Sequence, residues 1–579
     1  MCSQARLAVR ARAATVNRAR TLDASAPLAL AVVALLLLLV VVPLAWLVWT
    51  SVQDPLTGRV TLDNYRTAFT KTIYLEPILN SFKLACAVAT IAVVVGAPLA
   101  WLVSRTDMPG RAVIRPLILA AFVTPSFLGA NAWIFLAAPN SGMLNQLWRT
   151  LFHTERGLFD IYSLAGAIFV IALYSIPYTF SFVSATLELM SSELEDAATT
   201  LGSRTLRTTW QITLPLALSA ILAGFLLSFL EAIELFGPPA FILIPARQQV
   251  MTTQLYLFFS QFPPQIEVAA AYAMPLLLVT ILLLYAQRRI LGRRRFVTVT
   301  GKGGARRRVS LGRWRTPLAV LAFVPPGLSV LLPYVALLLV SVQQSWGRGV
   351  LAPGNLTLNW YRWAIIDNPV TRTAIAHSLE YSAAAATLAV VLATAVALLT
   401  VRQLVPRSSV LGFVAMAPFV VPGIVLAIGF LAAYSHRPLL LYGTALILIA
   451  AYATRFLPIA YSNGTSILRS INVDLENAAR TLGAGRLRST WAVTVPLLRR
   501  GLLSGWLLVF IPALRELSAS IFLFTPRTHV ITTVMFDFSD AGNYEAVSTM
   551  GLLMMVVTFG IVVVAFRFLG RDVTQRAAA

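Results

Sequence analysis

Twelve runs of about twenty mostly apolar residues punctuate this chain, and each is long enough to cross a bilayer as a helix. They fall at 28–49, 80–104, 116–138, 161–186, 214–236 and 268–287, then at 317–340, 378–401, 408–434, 440–463, 501–522 and 546–567. In hydrocarbon every backbone polar group must be bonded internally, which confines such segments to helices. The predicted class is therefore an all-α polytopic membrane protein with twelve transmembrane helices. Composition agrees: 58% hydrophobic and 12% charged residues in 579 give too little charge to cover a water-soluble domain. The first run follows a basic stretch, Arg6 to Arg20, as a signal peptide would. It continues through Trp46-Leu47-Val48-Trp49 with no small-residue cleavage site, so it reads as a retained anchor.

The net charge of +23 would suit nucleic acid, but its distribution does not. With the amino terminus inside, the inner segments carry 32 Lys and Arg and the outer ones 11. That bias is the positive-inside rule, and it predicts a multi-pass protein of the bacterial inner (cytoplasmic) membrane with both termini cytoplasmic. The excess faces membrane lipid, and no nucleic-acid motif accompanies it. Cys2 and Cys86 cannot frame a disulfide scaffold, and His153, His377, His436 and His529 are scattered, so no tightly bound metal and no catalytic residues are expected.

Within this pattern one polar segment occurs twice. Leu194-Glu195-Asp196-Ala197-Ala198-Thr199-Thr200-Leu201-Gly202 returns 281 positions later as Leu475-Glu476-Asn477-Ala478-Ala479-Arg480-Thr481-Leu482-Gly483. At the same offset Leu206-Arg207, Thr209-Trp210, Thr213 and Pro215-Leu216 match Leu487-Arg488, Thr490-Trp491, Thr494 and Pro496-Leu497. Asn80-Ser81 with Arg105 recurs as His377-Ser378 with Arg402, and Thr124-Pro125 has a counterpart in Val421-Pro422. Leu62-Asp63-Asn64-Tyr65-Arg66 matches Leu358-Asn359-Trp360-Tyr361-Arg362. Six spans per copy give two parallel repeats, 1–287 and 317–579, with a passage expected between them. The linker 288–316 holds eleven Lys and Arg and no acid.

Each repeated segment, near 188–215 and 469–496, lies in the loop between the fourth and fifth spans of its half. Ser192-x-x-Glu195 has the capping-box pattern, and Asp474 is the expected N-cap of the second copy. Leu194, Ala197, Ala198 and Leu201 then share a stripe, and Gly202 or Gly483 ends the helix in a left-handed turn. An interfacial helix resting on the bilayer is the plain alternative; duplication at matching positions points to a docking element.

These segments resemble the EAA motif of the inner-membrane permeases of ATP-binding-cassette (ABC) importers. The matching residues are Glu195, Ala197, Ala198, Gly202 and Leu214-Pro215, then Glu476, Ala478, Ala479, Gly483 and Val495-Pro496; Asp196 and Asn477 separate each Glu from its alanines. The resemblance implies a type I importer permease with both halves fused. It implies two copies of one cytoplasmic ABC ATPase subunit, identical because they meet nearly the same helix, and a periplasmic or lipid-anchored solute-binding protein. No GxxxxGK[ST] loop occurs, so ATP and Mg belong to the partner ATPase and this chain carries no cofactor.

Glu231 and Glu234 near the end of span five, and Arg515 and Glu516 at the equivalent place in span eleven, are candidates for the translocation path. The alternative is an intraprotein pair such as Glu234 with Arg515. Arg455, Lys83, and His377 with Glu380 are assigned structural or interfacial places. Leu514-Arg515-Glu516-Leu517-Ser518-Ala519 resembles the ferric-iron importers, with thiamine or phosphonate importers as alternatives. An ion-gradient-driven secondary transporter built from similar repeats is the rival class.

Overall fold

The computed structural model describes residues 25–190, 193–293, 308–349, 352–485 and 489–578. The Arg6–Arg20 stretch, Cys2, Ser192 of the expected capping box, Leu487, Arg488 and linker residues 294–307 lie outside the described residues.

Among the described residues, nine helices are long and apolar enough to cross a membrane, and twelve spans result when three bent pairs each count once. The unbroken ones are Ala26–Ser51, Thr72–Arg105, Leu164–Leu189, Thr209–Glu234, Ile266–Gln287, Gly312–Ser341, Pro369–Val401, Ala445–Ser470 and Tyr544–Val564. The third and ninth spans are not the single rods expected over 116–138 and 408–434. Each is a pair, Arg111–Val123 with Ser126–Ala137 and Ser408–Val420 with Gly423–Tyr434, bent by 102° and 111°. The breaks fall at the duplicated prolines Pro125 and Pro422, whose preceding residues Thr124 and Val421 are extended. Span eleven, Ala492–Arg499 with Gly501–Leu514, also stops short of the expected 522.

A second proline effect recurs through the bundle. Four helices contain one wide π turn within their length: Leu37–Val41, Thr209–Thr213, Gly327–Leu331 and Thr490–Thr494. Each ends two residues before a proline of the same helix, namely Pro43, Pro215, Pro333 and Pro496. Proline has no N–H for the carbonyl four residues back, and its ring crowds that carbonyl. An extra residue in the turn moves the carbonyl aside. Other prolines, such as Pro177 and Pro458, pass through their helices without one.

The first span of each half packs on the opposite half. In span one, the Leu38 carbonyl accepts the Tyr434 hydroxyl and the Leu39 carbonyl accepts Thr454 Oγ1 at 3.2 Å. In span seven, the Tyr334 hydroxyl meets Thr124 Oγ1 at 2.5 Å. Gly429 permits the first crossing, since a Cβ there would lie 2.7 Å from the Pro43 carbonyl oxygen.

Several duplicated polar residues prove to be fasteners. Ser51 and Ser341 hydroxyls contact the Tyr65 and Tyr361 hydroxyls at 2.9 and 2.8 Å, fixing the short helix before the second span of each half. Ser81 and Ser378 accept the backbone N–H of Met251 and Ile531, both at 2.7 Å. Beside them Asn80 donates to the Gln249 carbonyl at 3.1 Å, and His377 donates through Nδ1 to the His529 carbonyl at 3.0 Å. A buried serine or asparagine with its partner in place costs little in a span; without one it is expensive.

Candidate functional site

The repeated segments form helices Glu193–Thr200 and Val473–Thr481. Asn472, not Asp474, caps the second: its side chain accepts the Asp474 N–H at 3.0 Å. Both helices close identically. Gly202 and Gly483 take φ of +82° and +89°, the next N–H reaches back five residues (Ser203 to Ala198, 2.9 Å; Ala484 to Ala479, 3.1 Å), and the glycine N–H reaches back three. This is the Schellman ending, and a Cβ on either glycine would touch nothing, so backbone conformation alone selects glycine.

The motif glutamates face inward. Glu195 accepts Thr213 Oγ1 at 2.7 Å and pairs with Arg105 at 3.7 Å; Glu476 accepts Thr494 Oγ1 at 2.7 Å and pairs with Arg402 at 3.0 Å. Each arginine also holds a backbone carbonyl at the end of the fourth or tenth span: Met190 at 3.0 Å, Ile471 at 3.3 Å. One mostly buried glutamate thus joins the loop helix to the end of the second or eighth span and to the π turn that opens the fifth or eleventh. Arg105, Arg402, Thr213 and Thr494 carried no role in the sequence beyond being duplicated, which was the available signal.

Outward from this lock the helices expose an apolar surface. Leu201 and Leu482 are 88% and 89% exposed, and Ala197, Ala478 and Leu475 are exposed beside them. Among the described residues nothing covers this face, which is the expected geometry of a docking surface. Ala198 and Ala479 are half-buried against the bundle.

At the far end of spans five and eleven lies a cluster of charges. Glu234 is the last residue of its helix, and Arg515 follows the last residue of its own. Arg515 Nη1 donates to the carbonyls of Phe122 at 3.1 Å and Val123 at 2.6 Å, the free end of the first piece of broken span three. A cation at a helix carboxyl end offsets both the unpaired carbonyls and the dipole. Glu516 pairs with Arg455 Nε at 3.1 Å and accepts the Ala519 N–H at 3.0 Å. Arg455 lies against the other break: a Cβ on Gly423 would collide with its guanidinium. The pair expected between Glu234 and Arg515 is not what forms; each arginine braces a proline break, and Arg455 joins the cluster. Glu231 lies beside Tyr178, Arg455 and Arg515, and Glu234 interacts with Arg455, Glu231 and Glu516 through space. Lys83 and Glu380 are exposed on their helices, away from this cluster.

Beyond the cluster, aromatic rings from both halves meet. Phe236 and Tyr256 of the first half lie 6.1 and 5.6 Å from the Phe536 ring of the second, and Tyr256 lies 6.4 Å from Phe522.

Duplicated bundles, crossed first spans and a charged, proline-broken seam between halves define a membrane permease. The chain belongs to the family described as binding-protein-dependent transport system inner membrane component, whose pattern matches twice, over residues 91–296 and 389–575. It is accordingly a multi-pass inner-membrane permease with the family unit fused in duplicate. It is 25% identical to the ferric transport system permease protein of Actinobacillus pleuropneumoniae over 84% of this chain and 70% of that one. A putative ferric transport permease of Haemophilus influenzae is also 25% identical, over 80% and 72%. A putative 2-aminoethylphosphonate transport permease of Salmonella paratyphi A is 27% identical over 39% of this chain and 84% of its own.

Proposed function

We propose that this chain is the passage-forming subunit of an ATP-driven importer that carries ferric iron delivered by a binding protein outside the membrane. The supporting observation is the pair of Schellman-ended helices, each locked to its own half by glutamate, arginine and threonine while an alanine and a leucine stay bare. On this reading each helix seats in a cytoplasmic ATPase subunit, both termini are cytoplasmic, and ATP and Mg stay with that partner. Closing of the ATPase pair pushes the two helices together. The push passes through Glu195 to Arg105 and Thr213, and through Glu476 to Arg402 and Thr494, onto the bases of spans five and eleven. The other ends of those spans carry Glu231, Glu234, Arg515 and Glu516.

Arg515 and Glu516 serve there as braces, since their polar atoms are already engaged. Glu231 and Glu234 are left to line the path and favour a cation. Carboxylate oxygens suit a hard ferric ion, and a passage must hold it weakly enough to release it. The two fused ferric-iron relatives support this cargo over phosphonate, whose relative matches only 39% of the chain. Uptake of radiolabelled ferric iron in cells expressing the chain with its neighbouring ATPase and binding protein tests the reading. Energy-dependent uptake that Glu234→Gln reduces without lowering membrane content is expected. Uptake of another solute but not iron would refute the cargo, and uptake without any ATPase would refute the class.

A further inference from the structure

One cavity of the first half is lined by charges that the matching positions of the second half do not carry. This cavity of about 350 Å³ opens beside the end of span two, walled by Arg105, Arg111, Arg115 and Arg308, with Glu188 and Ser104. Glu188 is the one acid on this wall, and it pairs with Arg115. Arg105 is 5% exposed; its Nη atoms are held by Glu195 and Met190, but its buried Nε has no partner. Arg308 is fixed at the rim because the chain leaving the linker is pinned there. Val309 N–H donates to the Arg105 carbonyl at 2.9 Å and Asp107 N–H to the Val309 carbonyl at 3.1 Å. Leu311 N–H then meets Asp107 Oδ1 at 3.0 Å.

At the corresponding positions of the second half, 297 residues on, Arg111 and Arg115 are replaced by Ser408 and Gly412. Glu188 corresponds to Arg469, 281 residues on. The machinery shared by both halves therefore does not explain the cavity. Two carboxylates answer the four guanidiniums, Glu188 on Arg115 and Glu195 on Arg105, so Arg111 and Arg308 leave a surplus of positive charge in the recess, which an anion relieves. Guanidinium forks match phosphate oxygens in pairs.

The surroundings select the source of that phosphate. The helix carrying Arg111 and Arg115 exposes Val113, Leu119 and Phe122 on its outer side. The neighbouring helix Arg315–Pro326, whose Phe323 packs on Gly110, exposes Val320, Leu321 and Val324. A charged recess bordered by bare aliphatic helix faces is what a phospholipid requires: a headgroup site with acyl chains alongside. We propose that this cavity binds the phosphate of an anionic membrane lipid, at one half of the permease only. Because Arg105 also holds Glu195, an occupied site stiffens one loop helix and leaves the other unaffected. The location on the inner leaflet rests on the orientation given under the proposed function; lipid binding itself does not depend on transport.

The test is native mass spectrometry of the full chain in detergent, titrated with phosphatidylglycerol or phosphatidylcholine. Wild-type protein should retain phosphatidylglycerol, and R111S/R115Q should bind it at least about tenfold more weakly, as loss of paired phosphate contacts predicts. R308Q, a single change at the rim, should weaken it to a lesser degree and serves if the double variant does not fold. R407Q, on the mirror loop of the second half, should bind like wild type. Equal phosphatidylglycerol binding by wild type, R111S/R115Q and R308Q would overturn the proposal. So would displacement of the lipid by millimolar inorganic phosphate, which would assign the recess to a free anion.

Discussion

Arg402 shows how much one side chain can carry. It is largely buried, pairs with Glu476, and holds the Ile471 carbonyl at the end of span ten. Replacing it with glutamine leaves a half-buried carboxylate with Thr494 as its remaining partner, and uncompensated charges of this kind cost about 3–5 kcal/mol. We expect R402Q to raise amide exchange across 473–481 and to depress uptake strongly while the protein still inserts; unchanged exchange in that helix would contradict the lock. His529 offers a second residue-level test. It sits on the loop before helix Ile531–Asp540, with Nδ1 buried and unpartnered. Burial, and then the neighbouring His377, hold its pKa below the ordinary value. An opened loop takes up a proton that the closed loop refuses. Its stabilisation is therefore complete above the ordinary histidine pKa of about 6.5 and declines as pH falls through it. Exchange at 524–530 should rise on acidification in wild type and rise less in H529N.

Among the elements, the short loop helices owe their length to glycine. Gly202 and Gly483 adopt a left-handed conformation in open space, so a side chain meets no clash and the cost is that of the backbone alone, about 1–2 kcal/mol for an ordinary residue. Uptake and thermal stability should fall in the order G483N, G483A, G483V, with the β-branched residue worst; a valine as benign as asparagine would contradict the cap. This ending was legible in the sequence because glycine at a fixed distance after an alanine pair is a local signal. The second N-cap was misplaced because Asn472 and Asp474 are both competent acceptors, and only the approach of the chain from Ile471 chooses between them. The bent spans were harder to foresee. Apolar content continues across Thr124-Pro125 and Val421-Pro422, and what makes the break tolerable comes from other spans, Arg515 on the Val123 carbonyl and Arg455 against Gly423. The partners of Glu195 and Glu476 were hidden for the same reason, since only the packing of separate spans brings them together.

At the scale of the whole molecule, the crossed first spans make each half depend on the other. Tyr434 reaches span one and Tyr334 reaches span three, so the linker is not what holds the bundle together. Expressed as two chains divided within 294–307, the halves should co-purify and restore uptake; halves that insert but never associate would contradict the exchanged packing. The duplicated contacts also present the two loop helices as equivalents, each anchored inward by glutamate and bare outward at leucine. The central claim is that both are seats for the same kind of ATPase subunit. Cysteine cross-linking from Leu201→Cys and Leu482→Cys to the neighbouring ATPase tests it most directly. Each single variant should yield a product with one ATPase subunit, and the double variant a product with two copies of the same subunit. Absence of any ATPase product from both positions, in a chain that still transports, would contradict the account.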